Sequence, residues 1–318
     1  MRNKIENVAV ALLNFNTPEM TSECCDSVLK STYPNFTLCV MDHGSTTDNY
    51  HKLKEILDPK VILWRTKDNY GYAGGMNRIL EKAAELKPHY FLVMNNDTKI
   101  DPNAISAFVN CAQRFDDKCV VTGKVYHFDD PNRLQTCGEL FNKSTFNEIK
   151  IGAEEIDVGQ YDEEAEREMI DDVFMLLPFE IYGTTGGYSK KYYMNGEQVD
   201  LILRIQAAGN ICMFTPDAKL WHKGSYSLGG IGSPKIMFYE SESRVILRFN
   251  HFTRLKFIIF TFRELSRLLY SVSKGIIGAL IGRTKNLKSR IALLVGFFSG
   301  IKCVINNEDA RNRYPLNW

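Results

Sequence analysis

The stretch that most constrains the fold is residues 90–97, in which five apolar residues lead directly into two amides and a carboxylate. Prolines at 88 and 102 bound this stretch, as is typical of a short strand buried on both faces of a parallel sheet. Open α/β sheets bind ligands at the carboxyl ends of their strands, which is where the polar triplet would lie. Asp97 would there suit Mg²⁺ or Mn²⁺ that also holds phosphate oxygens. The alternative is an ordinary turn, whose Asn and Asp side chains bond to nearby backbone.

Apolar strands and helices alternate with short links through the first 125 residues. The predicted strands span 8–15, 37–41, 61–64, 90–94 and 119–125. The predicted helices span 17–30, 48–57 and 76–86, with a glycine-rich loop at 67–75 and a further helix capped by Asp101-Pro102. Later segments read as strands at 173–177 and 211–214 and as a helix at 197–208. This alternation predicts an α/β fold with a doubly wound, mostly parallel sheet.

Composition places the chain among globular proteins with a core. Its 318 residues suggest one large or two ordinary domains, and 44% of them are hydrophobic. The eight cysteines form no C-x-x-C pair, which indicates a reducing compartment without a zinc site or a disulfide framework. The first apolar run, 8–13, is too short for the core of a signal peptide, so we expect a cytoplasmic protein.

Basic residues are concentrated near the end of the chain. Residues 244–302 contain twelve Lys or Arg and a single acid, Glu264. None of the apolar runs between these bases reaches the roughly 18 uncharged residues of a spanning helix. We therefore predict that 244–318 is a basic amphipathic helical region that holds the protein peripherally on the anionic inner face of the cell membrane. The alternative is a helical subdomain packed on the core, and the many Ile, Leu and Phe residues fit lipid better than nucleic acid.

Polar loops after five predicted strands would meet at the carboxyl edge of the sheet. They hold Asn14 to Asn16, Asp42 to Ser45, Asp68 to Gly71, Asn95 to Asp97, and Trp221-His222. Acids, amides and glycines in one pocket suit a nucleotide diphosphate held through a metal. The glycine loop contains neither G-x-G-x-x-G nor G-x-x-x-x-G-K-[ST], which argues against a nicotinamide enzyme and a phosphate-loop NTPase.

Seven segments, in order over residues 5–227, resemble the inverting family 2 glycosyltransferases of the GT-A fold, close to bacterial rhamnosyltransferase-like members. The segments are VAVALLNFNTPE, SVLKSTYPNF, VMDHGSTTDN, KDNYGYAGGMNR, YFLVMNNDTKIDPNA, GEQVDLILRIQAAG and PDAKLWHKGSYS. The resemblance implies a glycosyltransferase domain at 1–243, with a nucleotide-sugar half at 1–125 and an acceptor and metal half at 126–243. It also implies a UDP- or dTDP-linked donor and a Mg²⁺ or Mn²⁺ ion.

The resemblance also implies the residues of the site. The donor would be bound by a set of amides, an acid and a glycine: Asn14, Asn16, Asp42, Asn69, Gly71, Asn77, Asn95 and Asn96. Asp97 would bind the metal in place of the family's usual D-x-D motif, and His222 would complete the metal site. Alternatives remain for several of these, since Asp42 could cap a helix, Asn69 could hold a left-handed turn and His222 could be a structural histidine.

The chain departs from the family at Glu197-Gln198. Many members have Glu-Asp there, and the aspartate takes the proton from the acceptor hydroxyl, which the amide of Gln198 cannot do. Glu197 and Asp200 remain on one helical face, and either could serve as the base if the helix shifts slightly. We predict Glu197 as the better placed of the two.

The implied reaction is transfer of one sugar, with inversion, to a hydroxyl of a surface glycan or a lipid-linked acceptor. The acidic run 154–172, with ten acids and one base, is predicted to be a solvated loop, although it could gate the acceptor. The alternative function, favoured by Gln198, is a weakly active nucleotide-sugar-binding homologue that assists a partner transferase. A homo-oligomer is also compatible with the sequence.

Overall fold

The computed structural model of the chain describes residues 5–224, 232–280 and 287–310. The described chain divides into two compact units. Unit 1 contains the residues up to 69, 75–187 and 201–224, and unit 2 contains 70–74, 188–200 and the described residues from 232 onward. The predicted boundary after residue 243 lies inside one continuous helix, Pro234–His251.

Strands and helices follow one another in the predicted alternation. In chain order the elements are β1 Val8–Asn14, α1 Pro18–Val28, β2 Phe36–His43, α2 Thr47–Ile56, β3 Ile62–Thr66, α3 Gly71–Ala84, β4 Tyr90–Met94, β5 Thr98–Ile100, α4 Ala104–Arg114, β6 Cys119–His127, β7 Leu134–Thr136, β8 Glu139–Asn142, β9 Asn147–Lys150, β10 Ala165–Arg167, β11 Phe174–Pro178, α5 Phe179–Thr185, α6 Glu197–Ala207, β12 Ile211–His222, α7 Pro234–His251, α8 Arg254–Leu280 and α9 Leu287–Asn306.

The central sheet of unit 1 is mostly parallel. Its order is β10-β12-β6-β11-β4-β1-β2-β3, with β5 paired to β12 and β7 paired to β6. Strands β4, β1, β2 and β3 run parallel, as do β6 and β12, whereas β11 runs antiparallel to both β4 and β6. The predicted α/β class with a doubly wound, mostly parallel sheet is confirmed. It follows that β1, β2, β3, β4, β6 and β12 all end at the same edge.

Two predicted boundaries differ from the structure. The third helix begins at Gly71, inside the predicted glycine loop, so Gly74 and Gly75 are helical. A Cβ at Gly75 would lie 2.9 Å from Leu13 Cδ1. Glycine is required there for close packing, although it is a poor helix former. The last strand runs on from residue 214 to His222, and its ladder with β6 shifts register between Phe214 and Lys219. Pro216 lies within that shift. A proline argues against a central strand, so the sequence did not predict the second half of this one.

The acidic run is only partly a solvated loop. The side chain of Lys124 on β6 is 2% exposed, and its Nζ lies 2.8 Å from Asp157 Oδ2 and 2.6 Å from Asp162 Oδ1. The Tyr126 hydroxyl donates to the same Asp157 oxygen at 2.6 Å. Burial alone would raise the pKa of Asp157, but hydrogen bonds from Lys124 and Tyr126 hold that pKa below its usual range. The buried Lys124 therefore ion-pairs the first part of the acidic run, at Asp157 and Asp162, to strand β6 of the sheet.

Glu139 on β8 is a buried carboxyl group with a displaced pKa. Burial raises the pKa of Glu139 from 4.5 to about 8, and the nearby carboxylates of Asp171 and Glu148 act in the same direction. The folded chain therefore binds this proton more tightly than the unfolded chain. Its contribution to the free energy of unfolding is fully present below pH 4.5 and is lost as the pH rises through about 8.

We expect Glu139→Gln to remove the decrease in the free energy of unfolding that ionisation of Glu139 causes as the pH rises. Thermal denaturation at pH 6 and pH 8.5 should show a smaller drop in Tm for the variant than for the natural chain, with the variant the more stable at pH 8.5. Glu55→Gln, at an exposed position on α2, is the matched control and should follow the natural chain. Parallel pH curves for all three proteins would show that Glu139 is already ionised at neutral pH.

In unit 2, α7 and α9 approach each other through glycines. A Cβ at Gly296 would lie 2.1 Å from the backbone oxygen of Phe238, and one at Gly300 would lie 2.7 Å from that of Glu242. The Ser299 hydroxyl donates to Glu242 Oε1 at 2.6 Å across the same contact. By length and composition α9 could cross a membrane, and 33% of its most apolar window is buried. The sequence prediction excluded such a helix because it counted only uncharged runs.

We expect Gly296→Ala to destabilise the chain because its methyl group cannot fit against the α7 backbone. The expected cost is about 1–3 kcal/mol, the usual range for overpacking. Gly183→Ala is the matched control, since a Cβ there meets nothing within 4 Å and alanine favours the helix. Urea unfolding should move the two variants in opposite directions, and equal stability would contradict the close approach of α7 and α9.

Candidate functional site

A chain of hydrogen bonds joins the carboxyl ends of β1, β2 and β4. The Asn14 amide donates to Asp42 Oδ1 at 2.8 Å and to Ser45 Oγ at 3.2 Å. The Thr21 hydroxyl on α1 donates to Asn14 Oδ1 at 2.8 Å, and the Asn96 amide donates to Thr21 Oγ1 at 2.7 Å. These bonds therefore hold the ends of β1 and β2, the loop after β4 and helix α1 in one fixed arrangement. The structure thus brings three of the predicted donor-binding residues together.

Asn14 uses its whole amide inside the protein. Besides the bonds above, its Oδ1 accepts from Thr17 Oγ1 at 3.4 Å, and the residue is fully buried. An amide offers two donors and two acceptors, so all four are engaged. This geometry favours a role for Asn14 in fixing the edge, and it leaves direct contact with a nucleotide to its neighbours.

Asp42 is also enclosed. Its carboxylate is fully buried, with Oδ2 3.4 Å from Arg65 Nε, and the Arg65 guanidinium lies 4.0 Å over the ring of Tyr50. The side chain of Arg65 is 33% exposed, so this arginine forms the outer cover of Asp42. Contact between Asp42 and a nucleobase requires Arg65 to move aside. Sequence analysis missed Arg65 because it lies within a strand and outside any motif.

Of the remaining donor-binding candidates, Asn16, Asn69 and Asn95 lie on the loops that follow β1, β3 and β4. Asn16 has a left-handed backbone (φ 58°), and its Oδ1 accepts from Thr46 N at 2.9 Å. Asn69 lies against the turn after β2, since a Cβ at Gly44 would come 2.6 Å from Asn69 N. Asn77 is buried on α3, and Asn95 accepts at its backbone oxygen from the Thr98 hydroxyl at 2.6 Å.

Gly71 belongs to unit 2, and its conformation explains the glycine. Its φ is 77°, and a Cβ there would lie 2.1 Å from the backbone oxygen of Tyr193. No other residue fits without moving that backbone. The structure therefore gives Gly71 a packing reason that the sequence did not reveal.

Asp97 and His222 lie side by side at the same edge. The Asp97 backbone oxygen accepts from Lys223 N at 2.9 Å, and His222 pairs with Thr98 in the short β5–β12 ladder. The His222 Nε2 atom lies 3.2 Å from Asp97 Oδ1, with both side chains about one-eighth exposed. The structure thus brings together the two residues predicted to hold a metal.

Gln135 fixes the orientation of the His222 ring. Its amide nitrogen donates to the His222 backbone oxygen at 2.9 Å, so its Oε1 is left to accept from His222 Nδ1, also at 2.9 Å. A neutral ring then presents the lone pair of Nε2 toward Asp97, and this buried atom has no hydrogen-bond partner. Sequence analysis missed Gln135, which lies in the region where the strand and helix pattern loosens.

The donor set at this position fits a divalent cation. A carboxylate oxygen and an imidazole lone pair that face each other are ligands for Mg²⁺ or Mn²⁺, and the second ring nitrogen is held by Gln135 as in other metal sites. Within residues 5–224, 232–280 and 287–310, no group of three or more His, Cys, Asp or Glu could hold a metal ion. The protein would therefore supply two ligands, and phosphate oxygens would supply others.

A cavity of about 210 Å³ adjoins Asp97. Its lining includes Lys99, Phe128 and Lys223 together with Met20, Glu23 and Thr98. The Lys223 ammonium group donates to Glu23 Oε2 at 2.6 Å and lies 4.8 Å over the Phe128 ring. An aromatic face beside charged hydrogen-bonding groups suits a polar ring such as a sugar.

The candidate catalytic residues lie in unit 2. Two successive left-handed residues, Asn195 and Gly196 (φ 65° and 78°), turn the chain into α6. Glu197 is the first residue of this helix and is buried, and Gln198 is half-buried.

Asp200 is held on several sides by the same unit. Its Oδ1 accepts from Tyr192 Oη at 3.3 Å, from Asn250 Nδ2 at 3.3 Å and from His251 Nε2 at 2.9 Å. Burial raises the pKa of Tyr192, and the Asp200 carboxylate raises it further. These contacts favour Asp200 as an anchor between α6 and α7, which leaves Glu197 as the candidate base.

Comparison with known proteins identifies relatives of this chain. Residues 9–161 match the family model described as Glycosyl transferase family 2. Glycosyltransferase GlyG of Streptococcus pneumoniae serotype 4 is 27% identical over 128 residues, which cover 39% of this chain and 41% of that protein. The N-acetylglucosaminyl-diphospho-decaprenol L-rhamnosyltransferase of Mycobacterium tuberculosis is 21% identical over 242 residues, which cover 68% of this chain and 75% of that protein. The O-antigen biosynthesis protein RfbC of Myxococcus xanthus is 22% identical over 70% of this chain, which spans only 18% of RfbC.

Solved structures with low sequence identity share the fold. The mannosyltransferase PcManGT from Pyrobaculum calidifontis, in complex with GDP-Man and Mn²⁺, has a TM-score of 0.55 and 12% identity, and the match covers 93% of this chain and 87% of that one. GalNAc-T7 with UDP, GalNAc and Mn²⁺ has a TM-score of 0.54 and 14% identity, covering 76% of this chain and 50% of that one. These likenesses confirm the GT-A type of fold that the sequence resemblance implied.

Proposed function

Because residues 9–161 match the family model described as Glycosyl transferase family 2, we propose that the chain transfers one sugar, with inversion, from a UDP- or dTDP-linked donor to a hydroxyl group. The observation that carries the proposal is the Asp97–His222 pair, which lies next to the hydrogen-bonded edge built from Asn14, Asp42 and Asn96. A paired carboxylate and oriented imidazole beside a rigid sheet edge suit a diphosphate and its cation.

Asp97 and His222 are the residues that would hold Mg²⁺ or Mn²⁺. The bound ion would neutralise the charge that develops on the leaving diphosphate. Gln135 keeps the His222 ring in place, and Asn14 and Thr21 keep the neighbouring loops fixed, so little reorganisation is needed when the donor binds. Asn16, Asn69 and Asn77 would contact the nucleotide around this edge, and Asp42 would reach the base after Arg65 moves.

Glu197 is proposed to take the proton from the attacking hydroxyl. It stands at the first residue of α6, where the helix dipole stabilises the carboxylate, and a general base typically contributes about 10²–10⁴-fold. Asp200 would hold the start of this helix through Asn250 and His251. Gln198 would bind the acceptor as a neutral hydrogen-bonding group.

A lipid-linked acceptor is supported by the name of the mycobacterial relative, which acts on a diphospho-decaprenol carrier and transfers L-rhamnose. Rhamnose is therefore the first sugar to test, on both the UDP- and the dTDP-linked donor that the resemblance implies. A growing surface glycan is the other acceptor class, as the name of RfbC suggests. The reaction would take place in the cytoplasm at the membrane, where the eight cysteines would remain thiols.

A second candidate function is a weakly active homologue that binds nucleotide sugars and assists a partner transferase. Gln198 favours it, because the family's usual proton acceptor is an amide here. Release of free nucleotide, measured with and without acceptor, separates the two functions, since a binding homologue would release nucleotide at the same low rate in both.

A screen of donors tests the proposal most directly. Thermal shift is measured with UDP-, dTDP- and GDP-sugars, each with and without Mn²⁺. The true donor at 100 times its Kd should stabilise the folded chain by about 2.7 kcal/mol, and it should do so only with the metal. The matched free sugars are the control. Equal, small shifts for all nucleotide sugars would contradict the proposed function.

A further inference from the structure

Helix α8 has two apolar faces, of which only one is packed in unit 2. Leu268 is fully buried against Val245 and Phe297, and Phe257 and Leu265 lie beside it. This face explains why α8 is folded onto α7 and α9. The alternative predicted from sequence, a helical subdomain packed on the protein, is therefore true of this one face of α8.

The second apolar face of α8 is exposed to solvent. We define the α8 outer face as Leu255, Ile259, Phe262, Leu269, Ile276 and Ile277, whose exposed fractions run from 48% to 69%. The spacing 255, 262, 269 and 276 is seven residues, or about two turns, so these side chains share one side of the helix. Large apolar side chains in a continuous exposed row mark a contact surface.

Basic residues border this face. Lys256, Arg263, Arg267 and Lys274 follow one another at intervals of seven, four and seven residues, which places them in a row along one flank. The one acid of the helix, Glu264, is 7% exposed and is engaged by Arg267 at 2.6 Å and Arg244 at 3.6 Å. The exposed charge beside the outer face is therefore positive along its described length.

We propose that the α8 outer face lies in the interface of an anionic membrane, with the basic flank on the lipid phosphates. A helix of 27 residues is about 40 Å long and would lie parallel to the membrane plane. Its apolar side chains enter the acyl boundary, and its lysines and arginines remain at the headgroups. The membrane contact predicted from sequence for residues 244–302 is thereby assigned to α8, because α7 and α9 pack against each other. Two of the predicted bases, Arg283 and Lys285, lie outside the described residues.

Charge argues against the other occupants of this face. A second copy of the chain would bring an identical basic row to the contact, and like charges at a helix interface are destabilising. Nucleic acid would satisfy the bases and leave the row of Ile, Leu and Phe uncovered. Lipid satisfies both features at once, and this inference stands whether or not the chain transfers sugar.

Co-sedimentation of the full chain with vesicles tests the proposal. Vesicles of phosphatidylcholine alone and with one-third phosphatidylglycerol are compared at low and high salt. We expect binding only to the anionic vesicles and weaker binding at high salt. Phe262→Ser with Leu269→Ser should lower the affinity at least about tenfold, and Arg263→Gln with Lys274→Gln about twentyfold.

The matched control is Ile149→Ser with Val158→Ser, which removes two apolar side chains of unit 1 that are 64% and 82% exposed. This variant should bind vesicles as the natural chain does. All substituted positions are exposed, so the variants should fold, and circular dichroism verifies this. Absence of binding to anionic vesicles, or equal binding by all variants, would overturn the proposal. A dimer that the serine variant abolishes, without vesicle binding, would assign the face to a second copy instead.

Discussion

Asp97→Asn is expected to abolish metal-dependent donor binding and to lower sugar transfer at least about a hundredfold. Asp97 supplies the carboxylate of the Asp97–His222 pair, and a bound metal ion is typically worth several kcal/mol in transition-state stabilisation. The asparagine keeps the shape of the side chain and removes its charge. Isothermal titration of the donor, with Mn²⁺ and with EDTA, measures the effect independently of turnover.

The matched control for this experiment is Asp217→Asn, an exposed carboxylate on the same strand as His222. It should bind the donor normally. Both variants should keep a free energy of unfolding within about 0.5 kcal/mol of the natural chain, since neither change opens a cavity in the core. If the Asp97 variant binds the donor with unchanged affinity in saturating Mn²⁺, Asp97 does not bind the metal and residues 95–97 are an ordinary turn.

Glu197→Gln and Gln198→Asp should change turnover in opposite directions. Glu197→Gln removes the proposed proton acceptor and should lower kcat by about 10²–10⁴-fold without changing donor affinity. Gln198→Asp restores the carboxylate that the family usually has and should raise kcat toward the same factor. Position 198 is in the first turn of α6, where the dipole tolerates an added negative charge. Steady-state kinetics with the correct donor and acceptor measure both.

The pH dependence of kcat adds a readout that a structural role would not move. Loss of a general base should remove the acidic limb of the profile in Glu197→Gln, whereas Glu55→Gln should keep it. If Glu197→Gln abolishes turnover and Gln198→Asp has no effect, the base has moved to Glu197. If the natural protein is fast and both changes are neutral, α6 does not carry the base.

Much of unit 1 was predictable because its strands are continuous apolar runs that end in polar residues. The strand at 90–94 and the triplet after it were located from this pattern alone. The direction of β11 was not predictable, since a central strand is apolar on both faces whichever way it runs. The first turn of α3 and the second half of β12 were missed because glycines and Pro216 are chosen there for close packing and a register shift, against their intrinsic preferences.

The loops that form the site could be predicted from the sequence, whereas the side chains that hydrogen-bond to the site residues could not. Sheet topology dictates that Asn14, Asp42 and Asn96 end at one edge, but it does not dictate that Thr21 on α1 connects them. The same holds for Gln135, which sets the His222 ring from a segment with no motif. Such contacts depend on side-chain geometry between elements that are distant in sequence, and one sequence does not reveal them.

Helix α7 connects the membrane contact proposed for α8 to the support of the proposed base, Glu197. The helix passes residue 243 without a break, and its last turn supplies Asn250 and His251 to Asp200, three residues after Glu197. Ser243 on the same helix donates to the Met194 backbone oxygen at 3.0 Å. A chain cut near residue 243 would therefore lose the contacts of Asn250 and His251 with Asp200, and with them this support of α6. If α8 binds the membrane as proposed, the region from α7 onward is not a module that evolution could exchange freely, because any replacement for it must also rebuild the support of α6.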